Sequence, residues 1–295
     1  MKVLLAEYTV THDPALAHEG AAMLAVLRDS FERCGDEIVL PGPGDFGEEI
    51  ARLAPECDMG LVIAPDHLLS KYTFLVEQAT HNLGCGFMTI ALCANKVQSG
   101  RVLREHGVPV PDDAGAGKRV IKPVKGCGTQ EVRLSEEMPR GGEFAQQYVE
   151  GENYSVSLIP NRVIGDACAY YSGKPPVFLA VNRQEIVIGS DGAFRYLGGE
   201  TPVHPAREDE IVATAKKAVE VLGCQGYCGV DVVVADKVYV VDVNPRITTS
   251  LVGIAACMQE EIAELLVAAS KGDGPATVHL TGHARFDTYG KVTRT

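Results

Sequence analysis

The sequence lacks an excess of basic residues and lacks a long apolar run. Its 295 residues include 27 Lys and Arg against 39 Asp and Glu, which gives a formal net charge of −12. An acidic chain repels nucleic-acid phosphates and anionic lipid headgroups, so neither is expected as a main partner. The apolar runs stay short of the ~18 residues that a membrane-spanning helix requires. We therefore expect no nucleic-acid partner and no membrane association, while a local basic site for a phosphorylated ligand stays open.

Cysteines at paired metal-site or disulfide spacings are also missing. The nine cysteines are odd in number and scattered along the chain. The closest pair, Cys224 and Cys228, has no second pair at zinc-site spacing, so buried thiols are expected there rather than a metal. The N-terminal apolar run continues directly into acidic and polar sequence, without the pattern of a secretory signal peptide. These features predict a cytoplasmic protein with reduced thiols.

The first ninety residues alternate between strand and helix patterns. Apolar runs at Lys2–Glu7 and in DMGLVIAP (58–65) are typical of buried parallel strands. Apolar residues at helical spacing between Ala15 and Arg33, and again in FGEEIARLA (46–54), predict the crossover helices. This alternation predicts an α/β segment built on a parallel sheet.

The rest of the chain changes to an α+β character. Most of it is strand-rich, with helices predicted at Asn95–His106, Glu208–Leu222 and about Gln259–Ala269. The sequence shows no internal repeat and no low-complexity linker, so its parts are expected to pack tightly. We predict three parts, an N-terminal α/β domain (1–92), a small middle subdomain (93–150) and a C-terminal subdomain (151–295).

The most informative stretch is YCGVDVVVADKVYVVDVNPR, residues 227–246. Two β-branched runs flank Ala235-Asp236-Lys237 and predict a hairpin. Each apolar run carries one acid, Asp231 or Asp242, and strand periodicity places Asn244 on the same face as Asp242. Asp231 shares that face if the loop holds an even number of residues, as in a two-residue turn that pairs position 231 with position 240.

Two carboxylates and an amide oxygen would then converge in an apolar environment, where isolated ionised carboxylates are costly. A hard cation removes this cost, because Asp and Asn oxygens are ligands that Mg²⁺ accepts, with nucleotide phosphates completing the octahedron. The hairpin therefore predicts a metal site at Asp231, Asp242 and Asn244. The alternative is an exposed sheet face with scattered acids, which the interleaved Val and Tyr residues disfavour.

Two lysines upstream of the hairpin are candidates for phosphate contacts. Lys122 lies on a predicted strand just before Gly126 and Gly128. An inward ammonium beside glycines suits a phosphate, because glycines let backbone N–H groups approach closely. Lys96 begins the preceding helix. A lysine in such a position is, taken alone, more often a solvated surface residue. The order of the motifs along the chain therefore decides between a phosphate contact and a surface position.

Taken in order, the motifs resemble the ATP-grasp superfamily over nearly the whole chain. The resemblance rests on Asn95-Lys96 before a helix ending in GVPVP, and on VIKPVKGCG, QQYVEGENYSV, GVDVVV and VVDVNPR. Neither a Walker A motif nor a Rossmann G-x-G-x-x-G competes with it. The resemblance implies an ATP-grasp fold with an N-terminal parallel-sheet domain, a small ATP-binding lid subdomain at 93–150 and a C-terminal subdomain with the metal site at 151–295. It also implies an enzyme that uses ATP with Mg²⁺ or Mn²⁺, usually two ions.

The same resemblance implies the nucleotide contacts. Lys96 and Lys122 are expected on the phosphates, and the loop of Gly126 and Gly128 is the candidate closing lid. Glu152 is expected on the ribose hydroxyls. The residues expected on adenine are Gln146, Gln147, Tyr148 and Val149. The chain departs from the usual pattern at Gln146, where an acid is common and the adenine contact therefore stays open, and at Asp242, where Glu is usual.

Further charged and amide side chains are expected around the substrates. The resemblance implies that Arg246 supports the transferred phosphoryl group. Arg183, beside Asn182 at the predicted end of a strand, could hold a carboxylate or an acyl phosphate. Glu19 could anchor an ammonium, and Glu200, in a predicted Gly198–Glu200 turn, is another candidate. A surface role for Arg183 and a helix-terminal role for Glu19 fit the sequence equally well.

At a finer level, the chain resembles the tyramine–L-glutamate ligases of methanofuran biosynthesis. The motifs that carry this resemblance include HEGAAM, NLGC, VNRQEI, LGGE, GYCGVD and DVNPRITTS. It implies that the γ-carboxyl of glutamate is joined to tyramine through an acyl phosphate, and homodimers are common for this fold. The alternatives are a ligase that accepts lysine or another amino acid, and a nucleotide-binding module without catalysis. The sequence identifies no base for the amine.

Overall fold

The computed structural model describes residues 1–113, 117–125, 131–162 and 174–294. The predicted glycine loop with Gly126 and Gly128 lies outside these residues. Within the part of the chain that is described, no helix is both long and apolar enough to cross a membrane.

The N-terminal residues form a parallel sheet with helical connections. Its strands, in the order β2-β1-β3-β4, are β1 (Lys2–Glu7), β2 (Glu37–Val39), β3 (Met59–Ile63) and β4 (His81–Asn82). The connections contain α1 (Thr9–His12), α2 (Ala17–Arg33), α3 (Phe46–Leu53), a 3₁₀ turn (Ala54–Glu56) and α4 (Asp66–Ala79). Strand β1 is central and buried after Lys2, as its apolar run predicts. The predicted α/β segment is confirmed.

Helices α5 (Phe87–Ala94) and α6 (Lys96–Glu105) lead into a small antiparallel sheet. This sheet has the order β6-β5-β7 and consists of β5 (Arg119–Pro123), β6 (Arg133–Ser135) and β7 (Glu143–Gln147). Asn95 caps α6, because its side-chain oxygen accepts a hydrogen bond from the Gln98 backbone N–H at 3.2 Å. The cap fixes Lys96 at the first helical position, and its side chain is buried.

The remaining described strands form one larger sheet in the order β12-β11-β8-β9-β10-β13-β14. They are β8 (Glu152–Ile159), β9 (Val177–Ile188), β10 (Phe194–Thr201), β11 (Cys228–Val234), β12 (Val238–Asn244), β13 (Ala284–Asp287) and β14 (Val292–Arg294). All the neighbouring pairs are antiparallel. The helices are α7 (Glu208–Leu222), α8 (Ser250–Cys257) and α9 (Ile262–Ser270). The predicted α+β character of this part is confirmed.

Two local expectations about this sheet are wrong. Asn182 and Arg183 lie inside the 12-residue strand β9 and not at its end. The predicted turn at Gly198–Glu200 is part of β10. Gly198 has φ +129°, and a Cβ there would lie 2.1 Å from the Phe286 carbonyl oxygen, so glycine permits the close approach of β13.

Shared hydrophobic cores join the sheets. One buried cluster contains Leu4 and Val62 of the N-terminal sheet together with Val230 and Val240 of the β11–β12 hairpin. A second cluster joins α2 to α8 and α9. The division into three domains stays a prediction, and its first boundary, between residues 92 and 93, falls inside α5.

The cysteines of the described residues are free thiols. The Cys224 thiol contacts those of Cys228, Cys85 and Cys93, and these contacts together with burial raise its pKa well above the usual range. Within the described ranges, no group of three or more His, Cys, Asp or Glu side chains is arranged to hold a metal ion. Cys224 and Cys228 are both buried, as expected.

Candidate active site

A cavity of about 530 Å³ is lined by residues from all three sheets. The predicted site residues that line it are Glu19, Lys96, Lys122, Gln146, Gln147, Tyr148, Val149, Asp231, Asp242, Asn244 and Arg246. The fold thus brings together side chains that lie more than two hundred positions apart in the sequence. Gly126 and Gly128 belong to the undescribed loop, and their placement stays a prediction.

The β11–β12 hairpin places its two aspartates face to face. Asp231 pairs directly with Asp242 across the two strands. The connecting loop (235–237) holds three residues, and in a regular ladder this odd number would pair Asp231 with Val241. Val241 is instead the extra residue of a β-bulge, which restores the shared face of the two acids. The predicted two-residue turn, with position 231 opposite 240, is wrong, although both acids line the cavity.

Asp231 is held by two amide side chains. Its Oδ1 accepts a hydrogen bond from Gln184 Nε2 at 3.0 Å, and its Oδ2 accepts one from Asn244 Nδ2 at 3.1 Å. Burial, helped by the negative charge of Asp242, raises the pKa of Asp231 to about 6. The carboxylate is therefore costly to ionise until a cation arrives.

Asp242 is neutralised by the two predicted lysines. Lys96 forms an ion pair with its carboxylate, and Lys122 Nζ donates a hydrogen bond to the Val241 carbonyl oxygen at 3.1 Å. Burial opposes the ionised carboxylate, but the charges of Lys96 and Lys122 lower the pKa of Asp242 below its usual value. Burial lowers the pKa of Lys122 to about 8, against the attraction of Asp242. Burial also disfavours the Lys96 charge, but the Asp242 and Asp66 carboxylates raise the pKa of Lys96 overall.

Arg246 is fixed at the end of the hairpin. Its Nε donates to Asp66 Oδ1 at 2.7 Å, and its Nη2 donates to Asn244 Oδ1 at 3.2 Å. Asp66 is buried and begins α4, directly after the carboxyl end of β3, so this ion pair joins the N-terminal sheet to the hairpin. Asp66 was not predicted as a site residue. Its position beyond the end of a parallel strand is the signal that could have indicated it.

Gln146 fits an adenine contact. Its Oε1 is buried and, among the described residues, has no hydrogen-bond partner. An unsatisfied buried acceptor costs about 1–3 kcal/mol, and the amino group of adenine is a donor that can satisfy it. Gln therefore keeps the acceptor that an acid would provide at this position. Val120, which pairs with Gln146 across β5 and β7, adds an apolar surface to the same wall.

The cavity does not include Glu152, Arg183 or Glu200. Arg183 pairs with Tyr154 of β8 and Glu200 of β10, and lies on the opposite face of the sheet from Gln184, which lines the cavity. Arg183 forms an ion pair with Glu152 at 3.7 Å, and Glu200 forms one with Arg285. This far-face cluster corrects the expectation that the three residues contact nucleotide or substrate directly.

Asn182 lies beneath the cavity lining rather than in it. The side chain is fully buried, and its Nδ2 donates to the Ser155 carbonyl oxygen at 3.2 Å and to Ser157 Oγ at 3.1 Å. Ser155 itself lines the cavity. Asn182 therefore supports the floor of the site, in place of the substrate contact expected from the sequence.

Asn153, Gln184 and Tyr196 are among the lining residues that the sequence analysis missed. Asn153 and Gln184 each follow a predicted residue that faces the other way, namely Glu152 and Arg183. If the strands that pair with β11 had been known, alternation counted from Asp231 could have identified Asn153 and Gln184 as cavity-facing residues. Tyr196 also lines the cavity, and burial together with the charges of Asp231 and Glu19 raises its pKa well above the usual range, so its phenol stays neutral.

The chemistry of the hairpin donors fits a divalent cation that is shared with phosphates. The protein offers two carboxylates and one amide oxygen, from Asp231, Asp242 and Asn244. Only two of these three ligands are acidic, so the hairpin is consistent with the finding that the described residues contain no metal-binding group of three or more His, Cys, Asp or Glu side chains. Mg²⁺ is commonly held in this way, by one or two carboxylates with phosphate oxygens and water completing its shell.

Comparison with known families identifies the domain family. Residues 93–250 match the ATP-grasp domain family. The chain belongs to the ATP-grasp family. The family predicted from the motifs is therefore confirmed, and the matched range includes Lys96, Lys122 and the whole β11–β12 hairpin.

Related proteins agree with this membership. The chain is similar to tyramine–L-glutamate ligase of Methanocaldococcus fervens, with 34% identity over 214 residues, which are 71% of this chain and 65% of that protein. The enzyme of the same name from Methanocaldococcus jannaschii is 32% identical over 215 residues, 71% of this chain and 62% of that protein. This ATP-grasp chain thus spans just under two thirds of the length of these curated relatives.

A solved structure shows the same architecture. An ATP-grasp superfamily protein from Archaeoglobus fulgidus superposes with a TM-score of 0.78 at 28% sequence identity, over 97% of this chain and 92% of that chain. The ATP-grasp fold predicted from the sequence is confirmed over nearly the whole chain.

Proposed function

We propose that this ATP-grasp protein is a ligase that phosphorylates a carboxylate with ATP and joins it to an amine. The observation that carries the proposal is the pairing of Asp231 with Asp242 beside Lys96, Lys122 and Arg246 in one cavity. A carboxylate alone does not react with an amine in water, because its leaving group is oxide. Transfer of the γ-phosphoryl group releases ADP and makes an acyl phosphate. An amine can attack this intermediate to form the amide, and phosphate and a proton leave.

The residues of the site suit this transfer, which depends on positioning and charge neutralisation. A bound divalent cation, Mg²⁺ or Mn²⁺, would neutralise phosphate charge and would be held by Asp231, Asp242 and Asn244. We propose that two such ions bind. In this proposal Lys96 and Lys122 bind phosphate oxygens, which would replace their present partners, the Asp242 carboxylate and the Val241 carbonyl oxygen. The proposed adenine site is Gln146–Val149, with Asn153 rather than Glu152 on the cavity side.

Arg246 is the proposed group that meets the transferred phosphoryl. Asp66 and Asn244 orient its guanidinium by hydrogen bonds of 2.7 and 3.2 Å. A planar fork held in this way can contact two oxygens at once, which a flexible ammonium cannot. Pre-organised charge of this kind acts without reorganisation at the moment of transfer.

For the substrates, we propose the γ-carboxyl of glutamate and the amine of tyramine. The name shared by the two archaeal relatives supports this choice. Glu19 supports it from the structure, because its carboxylate lines the cavity and accepts a hydrogen bond from the Thr249 hydroxyl, which leaves other lone pairs for an ammonium. The cytoplasmic location and the homodimer stay predictions from the sequence.

The test is ADP release from the purified protein with ATP, Mg²⁺, glutamate and equal amounts of tyramine, tyrosine and lysine, with products read by mass spectrometry. We expect ADP release to require both a carboxylate and an amine, and the tyramine amide to dominate. A dominant tyrosine or lysine product would overturn the proposed substrates and retain the ligase. Tight ATP binding without ADP release for any pair would indicate a nucleotide-binding module instead.

A further inference from the structure

We infer that the rings of His18 and Tyr289 form the binding site for the aromatic ring of an arylalkyl amine. The inference rests on the proposed function, because such an amine is the acceptor of the ligation, and it names the residues that would select that acceptor. Both side chains line the cavity, and their ring centroids are 5.6 Å apart at an interplanar angle of 61°. An edge-to-face pair of this kind leaves ring surface for a third aromatic group.

The turn that carries Tyr289 is tightly built. Asp287 Oδ1 accepts hydrogen bonds from the backbone N–H groups of Tyr289 and Lys291 at 2.9 and 3.0 Å. Gly290 has φ +79°, and a Cβ at this position would lie 2.2 Å from the Cβ of Ala22. The turn therefore sits directly against α2, and only glycine permits that approach.

This construction holds an aromatic side chain in an exposed position. Tyr289 is 70% exposed, although its backbone is fixed by the turn and its ring is in contact with His18. The fixed backbone sets the position of this ring at the cavity wall, and the exposed ring presents apolar area to a ligand. This is the property expected of a ligand-binding ring.

Charge in this part of the cavity selects an amine without a carboxylate. Glu19 follows His18 in the first turn of α2 and offers its carboxylate to an ammonium. Among the described lining residues, Lys and Arg occur only at Lys96, Lys122 and Arg246, and all three contact the hairpin. The carboxylate of an amino acid bound at Glu19 would therefore meet a negative charge, with the nearest cations already engaged elsewhere.

The first experiment measures the binding of tyramine and of hexylamine by calorimetry in the presence of MgADP. It uses the wild type, Tyr289→Ala and Tyr289→Phe, and the affinity for ADP serves as the folding control. We expect Tyr289→Ala to weaken tyramine about tenfold, and Tyr289→Phe to stay within about twofold, because the ring is retained. Hexylamine, which has no ring, should change less than about threefold in either variant.

The inference is overturned if tyramine binds the Tyr289→Ala protein as tightly as the wild type, or if the wild type binds no tyramine at millimolar concentration. A second arm compares tyramine with tyrosine. We expect tyrosine to bind the wild type at least about tenfold more weakly than tyramine does. The Glu19→Gln variant should reduce this difference in affinity, because it removes the repulsion between the Glu19 carboxylate and the carboxylate of tyrosine. Tyrosine binding equal to tyramine binding would overturn the charge argument.

Turnover separates this inference from the proposed function. If tyramine binds with the expected variant pattern but no carboxylate supports ADP release, the ligase proposal fails and the amine site remains. If the amide forms and the KM for tyramine is unchanged by Tyr289→Ala, the ligase proposal stands and the ring site is wrong. The KM for ATP should not change in either Tyr289 variant, because this residue lies on the wall built by α2 and the turn at 287–290.

Discussion

The two faces of the larger sheet carry similar charged groups in different settings. At the cavity face, the side chains of the Lys96–Asp242 ion pair are 7% and 17% exposed. On the far face, the side chains of the Arg183–Glu152 pair are 54% and 66% exposed and 3.7 Å apart. An exposed pair of this kind contributes only about 0–1 kcal/mol of stability, whereas charges that are buried together must be matched closely.

The comparison shows that residue type alone does not separate a site residue from a surface residue. Arg183 and Gln184 are neighbours in β9, yet only Gln184 reaches the cavity and holds Asp231. Burial and the face of the strand make the difference. Matched substitutions on the two faces can therefore test the whole assignment, since chemically similar changes should have very different effects.

The largest contrast is expected between Asp242→Asn and Glu152→Gln. Each change removes one negative charge with little change in shape. Asp242→Asn should lower turnover roughly 100-fold or more, because the cation loses an anionic ligand and the phosphoryl group loses its counter-charge. Glu152→Gln should change turnover less than about twofold, as is usual for surface substitutions. Steady-state ADP release at several Mg²⁺ concentrations measures both, and equal effects would contradict the two-face comparison.

A second contrast pairs Arg246→Lys with Arg183→Lys. Arg246→Lys keeps the charge but loses the fork held by Asp66 and Asn244, so turnover should fall roughly 100-fold while ATP still binds. Arg183→Lys should be close to neutral. The measurement is kcat together with ATP affinity for each variant. If Arg183→Lys proves the more damaging change, the far face takes part in catalysis and Arg246 is structural.

Protonation of the cavity face gives the third prediction. In the free protein the pKa of Asp231 is about 6 and that of Lys122 about 8. Below pH 6 Asp231 must release a proton to bind the cation, and above pH 8 Lys122 must take one up to bind phosphate. The affinity for MgATP should therefore be highest between these values and fall about tenfold one pH unit beyond either.

Lys122→Met supplies the control for this pH profile. It should weaken ATP at neutral pH by about ten- to a hundredfold, since a charge-assisted contact is lost while the apolar stem remains. It should also remove the alkaline fall in affinity. Calorimetry from pH 5 to pH 9 measures both effects. Persistence of the alkaline fall in the variant would assign it to another group.

The smallest contrast compares Gln184→Ala with Arg183→Ala. Gln184 does not bind the cation itself but orients Asp231 through a hydrogen bond of 3.0 Å. Loss of a partner of this kind typically weakens metal affinity by about 10–100-fold. We therefore expect the Mg²⁺ concentration that gives half-maximal ADP release to rise by about tenfold in Gln184→Ala. Arg183→Ala should leave it unchanged. Mg²⁺ titrations of ADP release distinguish the two.

Periodicity and motif order predicted much of this molecule from its sequence. The parallel N-terminal sheet follows from apolar runs such as Lys2–Glu7, and the boundaries of α7 match the predicted Glu208–Leu222. Asp242 and Asn244 could be placed together because alternation along one strand is a local property. Asp231 faces Asp242 only because of the bulge at Val241, which alternation does not predict. For Lys96 and Lys122, by contrast, only the order of the motifs pointed to the cavity that the fold now shows them to line.

The errors arose where the face of a strand depends on its distant neighbours. Nothing near Arg183 in the sequence tells whether it or Gln184 turns towards Asp231, because that depends on the pairing of β9 with β8 and β10. Asp66 was missed because its partner Arg246 lies 180 residues away. The turn at 287–290 carries no motif, and it gains meaning only when it packs on α2.

The bulge at Val241 has a consequence for the length of the chain. The core-facing residues of β12 are Val238 and Val240 on one side of the bulge and Val243 on the other. Alternation therefore breaks once, at Val241 and Asp242, which both line the cavity. A chain without Val241 would alternate perfectly and would still pair Asp231 with Asp242. The pairing of the two aspartates does not require this residue, whereas Lys122 uses its carbonyl oxygen as an acceptor. The strand is one residue longer than that pairing requires, and the extra residue supplies the acceptor that holds the Lys122 ammonium beside Asp242.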